Sequence, residues 1–244
     1  MDVYVIALFP EILDTFARAS IVGRAAEQGL VRFHSVQIRD FSTNKHHTVD
    51  DTPYGGGSGM VMMAPPIVSA LESLQTDPET GERPHRVLLC PQGRVFTQSV
   101  ARELSTKRSI AFVCGRYEGF DERIRAYVDD EISLGDFVLT GGEPAAIAII
   151  DSVVRLIPGV LGNAESAVSE SHGDDGALEY PQYTRPAVFR EVGVPATLTS
   201  GDHARVARWR RWHALRRTRS RRPDLFAKIA LTPKELLWLD GEEP

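Results

Sequence analysis

From residue 3 to residue 157, short apolar runs alternate with amphipathic stretches, and this alternation restricts the fold more than any other feature of the chain. Residues 3–9, 86–90, 110–114 and 132–134 are dominated by apolar side chains, the pattern of strands buried on both faces. Residues 30–38 alternate as a further strand. The spacing predicts helices over 11–28, closed by Gly29, and over 65–74, 97–107, 121–128 and 144–157. Strands interleaved with helices need crossover connections. The expected architecture is therefore an α/β domain with a mostly parallel sheet.

Two glycine-rich junctions stand out. In the run from 131 to 144, Phe137-Val138-Leu139 reads as a short strand bracketed by Gly135 and by Gly141-Gly142, and Pro144 opens an apolar helix. On spacing alone this is equally an ordinary strand-to-helix turn. A second loop, Cys114-Gly115-Arg116-Tyr117-Glu118-Gly119, tips the balance towards one pocket built largely from backbone, because glycines allow close approach. A third tract, Gly55-Gly56-Gly57-Ser58-Gly59-Met60, ends a long polar stretch from 40 to 54, and structureless length of that kind is usually functional.

With 244 residues, 42% apolar and 25% charged, the chain can bury a sizeable core. The first residues carry no basic leader, and the most apolar stretch, 145–160, is interrupted by Asp151, Arg155 and Pro158, so no membrane span is expected. Cys90 and Cys114 both end strand-like runs and read as core residues rather than as a disulfide or metal pair. A soluble cytoplasmic protein is expected.

Composition changes at Pro158-Gly159. Residues 162–176 are small, polar and acidic, the signature of a flexible linker, and 177–244 are expected to form a small helical domain. Its best helix spans 202–217, with Val206, Trp209, Trp212 and Leu215 as an apolar stripe and Arg205, Arg208, Arg211 and Arg219 around it. Residues 201–230 hold nine arginines and Lys228 against Asp202 and Asp224, a local charge of +8 on a chain of net charge −5, so the remainder carries −13. A basic segment on an acidic protein points to a polyanionic partner.

Familiar nucleotide devices are absent. The tract at 55–60 lacks the lysine and Ser/Thr of a P-loop, and the first strand ends in Phe9-Pro10-Glu11 rather than in a dinucleotide-binding glycine turn. His46 and His47 have no spaced partners for zinc, and neither a nucleophile elbow nor a kinase set occurs.

The segments 50–60 (Asp-Asp-Thr-Pro-Tyr-Gly-Gly-Gly-Ser-Gly-Met), 114–123 (Cys-Gly-Arg-Tyr-Glu-Gly-Phe-Asp-Glu-Arg) and 134–143 (Leu-Gly-Asp-Phe-Val-Leu-Thr-Gly-Gly-Glu) resemble bacterial tRNA (guanine-N1)-methyltransferase, of the SPOUT superfamily. Residues 157–162 and Tyr183-Thr184-Arg185-Pro186 match as well, so the likeness runs from the first strand to the last helix. It implies methylation of guanine N1 at tRNA position 37, next to the anticodon, with S-adenosyl-L-methionine held in a C-terminal trefoil knot of the α/β domain. That domain would span 1–161, the acidic linker 162–176 would contribute to the active site, and 177–244 would bind tRNA. The resemblance further implies a homodimer with the active site shared between subunits, and Mg2+ in catalysis, although no metal-ligand spacing is visible. Carried over by position, the cofactor contacts are Leu89, Cys90, Pro91 and Gly93; Gly115, Tyr117, Glu118 and Gly119; and Leu134, Gly135, Asp136, Phe137, Val138, Leu139, Gly141, Gly142 and Pro144.

Such a reaction needs a base for the N1 proton and a cation or donor beside the neighbouring carbonyl oxygen. The resemblance gives the second role to Arg155. For the base, the family's aspartate is replaced here by Ser169-Glu170-Ser171-His172, so Glu170 is the positional match, with Asp174 and Asp175 as alternatives. The competing reading is a non-catalytic RNA-binding protein carried by the basic helix. Another keeps the chemistry but moves it to a different RNA site, which fold alone does not decide.

Overall fold

A computed structural model describes residues 1–162, 170–173 and 175–241. The chain divides into two compact units, residues 1–162 and residue 163 onwards.

The first unit runs β1 (Asp2–Ala7), α1 (Glu11–Ala17), α2 (Ser20–Glu27), β2 (Arg32–Gln37), β3 (Asp50–Asp51), β4 (Val61–Met62), α3 (Ala64–Glu72), β5 (His85–Val95), α4 (Gln98–Ser105), β6 (Ser109–Cys114), β7 (Asp130–Ser133) and α5 (Glu143–Val154). Five strands form one sheet in the order β2-β1-β6-β5-β7. Every neighbouring pair is parallel, as the alternation predicts. Both faces are covered, which is why the central strands read as continuous apolar runs. Val3, Val5 and Ala7 of β1, with Ile110 and Phe112 of β6, pack against α1, α2, α4 and α5. Ile6, Leu8, Leu88 and Val113 point the other way, against Ile67, Ala70 and Leu71 of α3 and the 3-10 turn residues Ile38 and Ile124. The period of two along each strand thus feeds two cores.

Local departures from the sequence reading have physical causes. The helix expected over 11–28 is two helices, because Ala19 is extended (φ −97, ψ 142) and Ser20 has φ 54. A Cβ at Gly23 would lie 2.5 Å from the Arg18 carbonyl carbon, so glycine lets the second helix press against the end of the first. Residues 122–127 wind as a 3-10 turn, started by the Asp121 carboxylate, which accepts from the Arg123 amide at 3.0 Å. Residues 137–139 form no strand. β7 stops at Ser133, whose hydroxyl donates to the Gly135 carbonyl (3.1 Å), and the Phe137 amide donates to the same carbonyl (2.9 Å), so the chain turns off the sheet. The strand expected to end at 90 continues as β5 to Val95, but through a bulge: Leu89 and Arg94 both pair with Ile132. Four residues, 90–93, are therefore extra to the ladder.

The second unit is not wholly helical. It contains a short antiparallel pair, β8 (Val188–Phe189) with β9 (Val192–Gly193), then α6 (Ala196–Thr199), α7 (His203–Arg221), α8 (Pro223–Phe226) and α9 (Pro233–Asp240). Asp202 caps α7 by accepting from the Arg205 amide at 2.9 Å. Trp209, Trp212 and Leu215 are buried along it, as the stripe implies, while Val206 is only half-buried. The indole of Trp212 donates to the Trp238 carbonyl at 2.9 Å, and α9 begins with a reciprocal capping box between Thr232 and Glu235. The linker residues 163–169, and Asp174, lie outside the described residues.

Candidate cofactor cleft at the ends of the central strands

The C-terminal ends of β5, β6 and β7 meet at a cleft of about 250 Å3, near the lower limit for small-molecule sites. Parallel sheets bind ligands at this end because the connecting loops, free of the ladder, gather there. Three segments build the walls: Leu89 with Cys90 and Pro91 of the β5 bulge; the loop after β6, 115–120; and the end of β7 with the loop that follows it, closed by Ala145 of α5. Apolar side chains and bare backbone predominate.

Backbone contacts tie the walls together. The Gly142 amide donates to the Gly115 carbonyl at 2.8 Å, and Arg116 pairs with Gly141 as an isolated antiparallel bridge. A Cβ at Gly142 would sit 2.7 Å from the Cα of Cys114, and one at Gly115 would strike the Phe120 ring at 2.7 Å. Glycine is required at both places by close approach rather than by a turn. Tyr117 is held at φ 61, a region bulky residues seldom occupy, and the residue is 51% exposed at the cleft mouth.

The glycine tract upstream is clipped to the same loop. Amides of Glu118 and Asp121 donate to the Met60 (3.0 Å) and Met62 (2.9 Å) carbonyls, and the Met62 amide donates to the Gly119 carbonyl (2.9 Å). At Gly59 (φ +84) a Cβ would overlap the Glu118 carboxyl, so the tract lies directly against the cleft loop.

One buried ion pair crosses the cleft wall. Glu143, at the start of α5, is 2% exposed, and the Arg116 guanidinium donates to its two oxygens at 3.1–3.3 Å. The same guanidinium reaches the Thr140 carbonyl (3.5 Å) and stacks 4.7 Å from the centre of the Phe9 ring. A desolvated carboxylate of this kind is tolerated only when paired. Beside it, burial and then the Glu143 charge push the Cys114 thiol well up, leaving it an unreactive core group. Cys90 is half-buried and its thiol donates to Glu131 at 3.5 Å; Glu131 also pairs with Arg125.

Of the expected cofactor residues, Leu89, Cys90, Pro91, Gly115, Tyr117, Glu118, Gly119, Leu134, Gly135, Phe137, Val138, Leu139, Gly141 and Gly142 line this cleft. Gly93, Asp136 and Pro144 do not; Gly93 instead presses the bulge onto the backbone of Glu131 and Ile132 in β7. Arg116 and Thr140, inside the same loops, line it too, and so do Phe120, Ile132, Ser133 and Ala145, which were not singled out. Arg116 stood inside a quoted motif, but nothing in the sequence links it to Glu143, 27 residues further on.

Arg155 caps the C-terminus of α5 and is half-buried. In the second unit, Glu170 is half-buried and its carbonyl accepts from the Gly173 amide at 3.0 Å. The Asp175 carboxylate is engaged by Arg211 and by the Ala177 amide (3.0 Å). Asp174 lies outside the described residues. Among those described, no group of three His, Cys, Asp or Glu side chains could hold a metal ion, and nothing there supports the expected Mg2+. No helix among them is long and apolar enough to cross a membrane.

Comparison with known proteins places this geometry in context. The family model described as tRNA (Guanine-1)-methyltransferase TrmD matches residues 1–228. A tRNA (guanine-N(1)-)-methyltransferase of Brevibacillus brevis is 54% identical over 234 residues, covering 95% of this chain and 94% of that protein. Proteins of the same name from Myxococcus xanthus (52% over 231 residues, 94% and 92% covered) and Dehalococcoides mccartyi (52% over 242 residues, 98% and 96%) are similar along nearly their whole length.

Proposed function

The chain belongs to the tRNA (guanine-N1)-methyltransferase family, and from that premise we propose that it methylates N1 of the guanine next to the anticodon of tRNA, using S-adenosyl-L-methionine. The observation that carries the reading is the cleft itself, where three glycine-dependent loops converge at the ends of parallel strands. Its walls suit that cofactor. Apolar side chains such as Leu89, Ile132 and Leu134 would cover a flat adenine, and exposed loop amides and carbonyls would hold its polar edge and the ribose. When bound, S-adenosylmethionine supplies a methyl group on a positively charged sulfur, which leaves as the neutral thioether.

The remaining chemistry falls to the protein. Guanine N1 carries a proton at neutral pH, and Glu170 takes it as the N1–methyl bond forms. Glu170 is favoured over Asp175 as the positional match to the family's aspartate. Negative charge that grows on the guanine carbonyl oxygen is met by Arg155. The tract at 55–60 lies against Glu118 of the cleft loop and forms part of the guanine approach. A guanine within a folded tRNA must leave its stack to reach such a site. Arginines of α7 contact tRNA phosphates; Arg205 and Arg208 lie exposed along it.

The reading includes a trefoil knot around the cleft, supported by the return of Gly142 onto Gly115. It also includes a homodimer sharing each site, supported by the exposed apolar side chains of Phe137 and Val138 at the cleft edge, and a cytoplasmic location where tRNA is processed. Incubation with tRNA and methyl-labelled cofactor, followed by mass spectrometry of the nucleosides, tests it. 1-Methylguanosine is the expected product, and its absence overturns the assignment.

A further inference from the structure

The Arg116–Glu143 pair raises an electrostatic question. A cofactor that carries a positive sulfonium is poorly served by an arginine on its cleft wall, yet Arg116 lines that wall. Simple Coulombic repulsion between two cations in a partly enclosed site is worth on the order of tenfold in affinity. The carboxylate of Glu143, buried to 2% exposure and bonded through both oxygens, removes that charge. The geometry does more than neutralise. Arg116 comes from the loop after β6 and Glu143 is the first residue of α5, and the same guanidinium touches the Thr140 carbonyl.

We propose that Glu143 is a positioning and charge-selecting residue: by neutralising Arg116 inside the wall, it sets the cleft's preference for the cationic methyl donor over the neutral thioether product. The inference rests on the cofactor reading above. It differs from a purely mechanical staple in what it predicts. A staple holds the loops for either ligand alike, since S-adenosylmethionine and S-adenosylhomocysteine share adenine, ribose and amino-acid parts. A neutralising carboxylate discriminates between them, because only the donor has charge on sulfur.

Titration calorimetry of the full chain with each ligand separates these roles. In the wild type both ligands bind; if neither does, the cofactor reading fails and this inference with it. Glu143→Gln keeps the size and one hydrogen-bond acceptor but leaves Arg116 uncompensated. The expected result is a shift of the donor-to-product affinity ratio by about tenfold against the donor. An equal loss for both ligands, or no change in the ratio, overturns the inference while leaving the cofactor reading intact. The double variant Arg116→Gln with Glu143→Gln removes both charges of the pair together, so its ratio should return to within about threefold of wild type even where both affinities fall. It serves also as the test if Glu143→Gln alone does not fold, and a double variant that still disfavours the donor by about tenfold overturns the inference.

Discussion

Gly142 approaches Cys114 so closely that a Cβ on the glycine would lie 2.7 Å from the cysteine Cα. Backbone meets backbone there, with no flexible side chain to yield. Gly142→Ala should therefore push apart the loops after β6 and β7. We expect about 1–3 kcal/mol of destabilisation, the range for overpacking, and at least a tenfold loss of S-adenosylhomocysteine affinity. Urea denaturation and calorimetry read the two effects separately; unchanged ligand affinity would detach this close approach from the site.

The base assignment separates Glu170 from Asp175. Glu170→Gln should slow single-turnover methylation by about 10²–10⁴-fold. Asp175→Asn, by contrast, removes one of the two carboxylate partners of Arg211, the other being Glu235, and should leave the rate near normal while lowering the stability of the second unit. A near-normal rate in Glu170→Gln moves the role elsewhere in the acidic segment.

Phe112 lies at the centre of the first core, 1% exposed between the helices and the sheet. Phe112→Ala leaves a cavity bounded by strands that cannot collapse, and should cost about 3–5 kcal/mol. Chemical denaturation checks it, and a loss below about 1 kcal/mol would mean that the surrounding side chains repack.

Asp2 accepts from Arg32 through both oxygens (2.6 and 2.8 Å) and faces His34 at 2.8 Å. The Arg32 hydrogen bond, opposed by burial, lowers its carboxyl from the ordinary 3.8 to about 2. Because the folded-state value is the lower one, the stabilisation is complete above pH 3.8 and is lost as pH falls towards 2. Asp2→Asn should cost roughly 1 kcal/mol at pH 6 after allowance for solvent screening, and the gap from wild type should close near pH 2. Equal gaps at both pH values would contradict the pairing.

For the basic helix, the expected observable is salt dependence. Replacing Arg205 or Arg208 by Ala should reduce the slope of log affinity for tRNA against log salt by about 0.7–0.9 for each phosphate that is no longer neutralised. A uniform drop in affinity with an unchanged slope would place these side chains away from phosphate.

Which parts were legible in the sequence follows from the range of the interactions concerned. The parallel sheet is written in the apolar runs of β1, β5 and β6, because burial on both faces leaves a local mark on every residue of a strand. The stripe through Trp209, Trp212 and Leu215 is similarly local, repeating along one helix face. The glycines at 115 and 142 were visible as glycines, and the family likeness gave them a purpose. Tertiary structure alone decided why each must be glycine, since the colliding atoms belong to the Phe120 ring folded back over its own loop and to Cys114 at the end of β6. It also decided that 137–139 leaves the sheet, that β5 bulges against Ile132, and that Arg116 and Glu143 neutralise one another. Each of these depends on which distant segments the fold brings within a few ångströms, and side-chain periodicity carries no record of that.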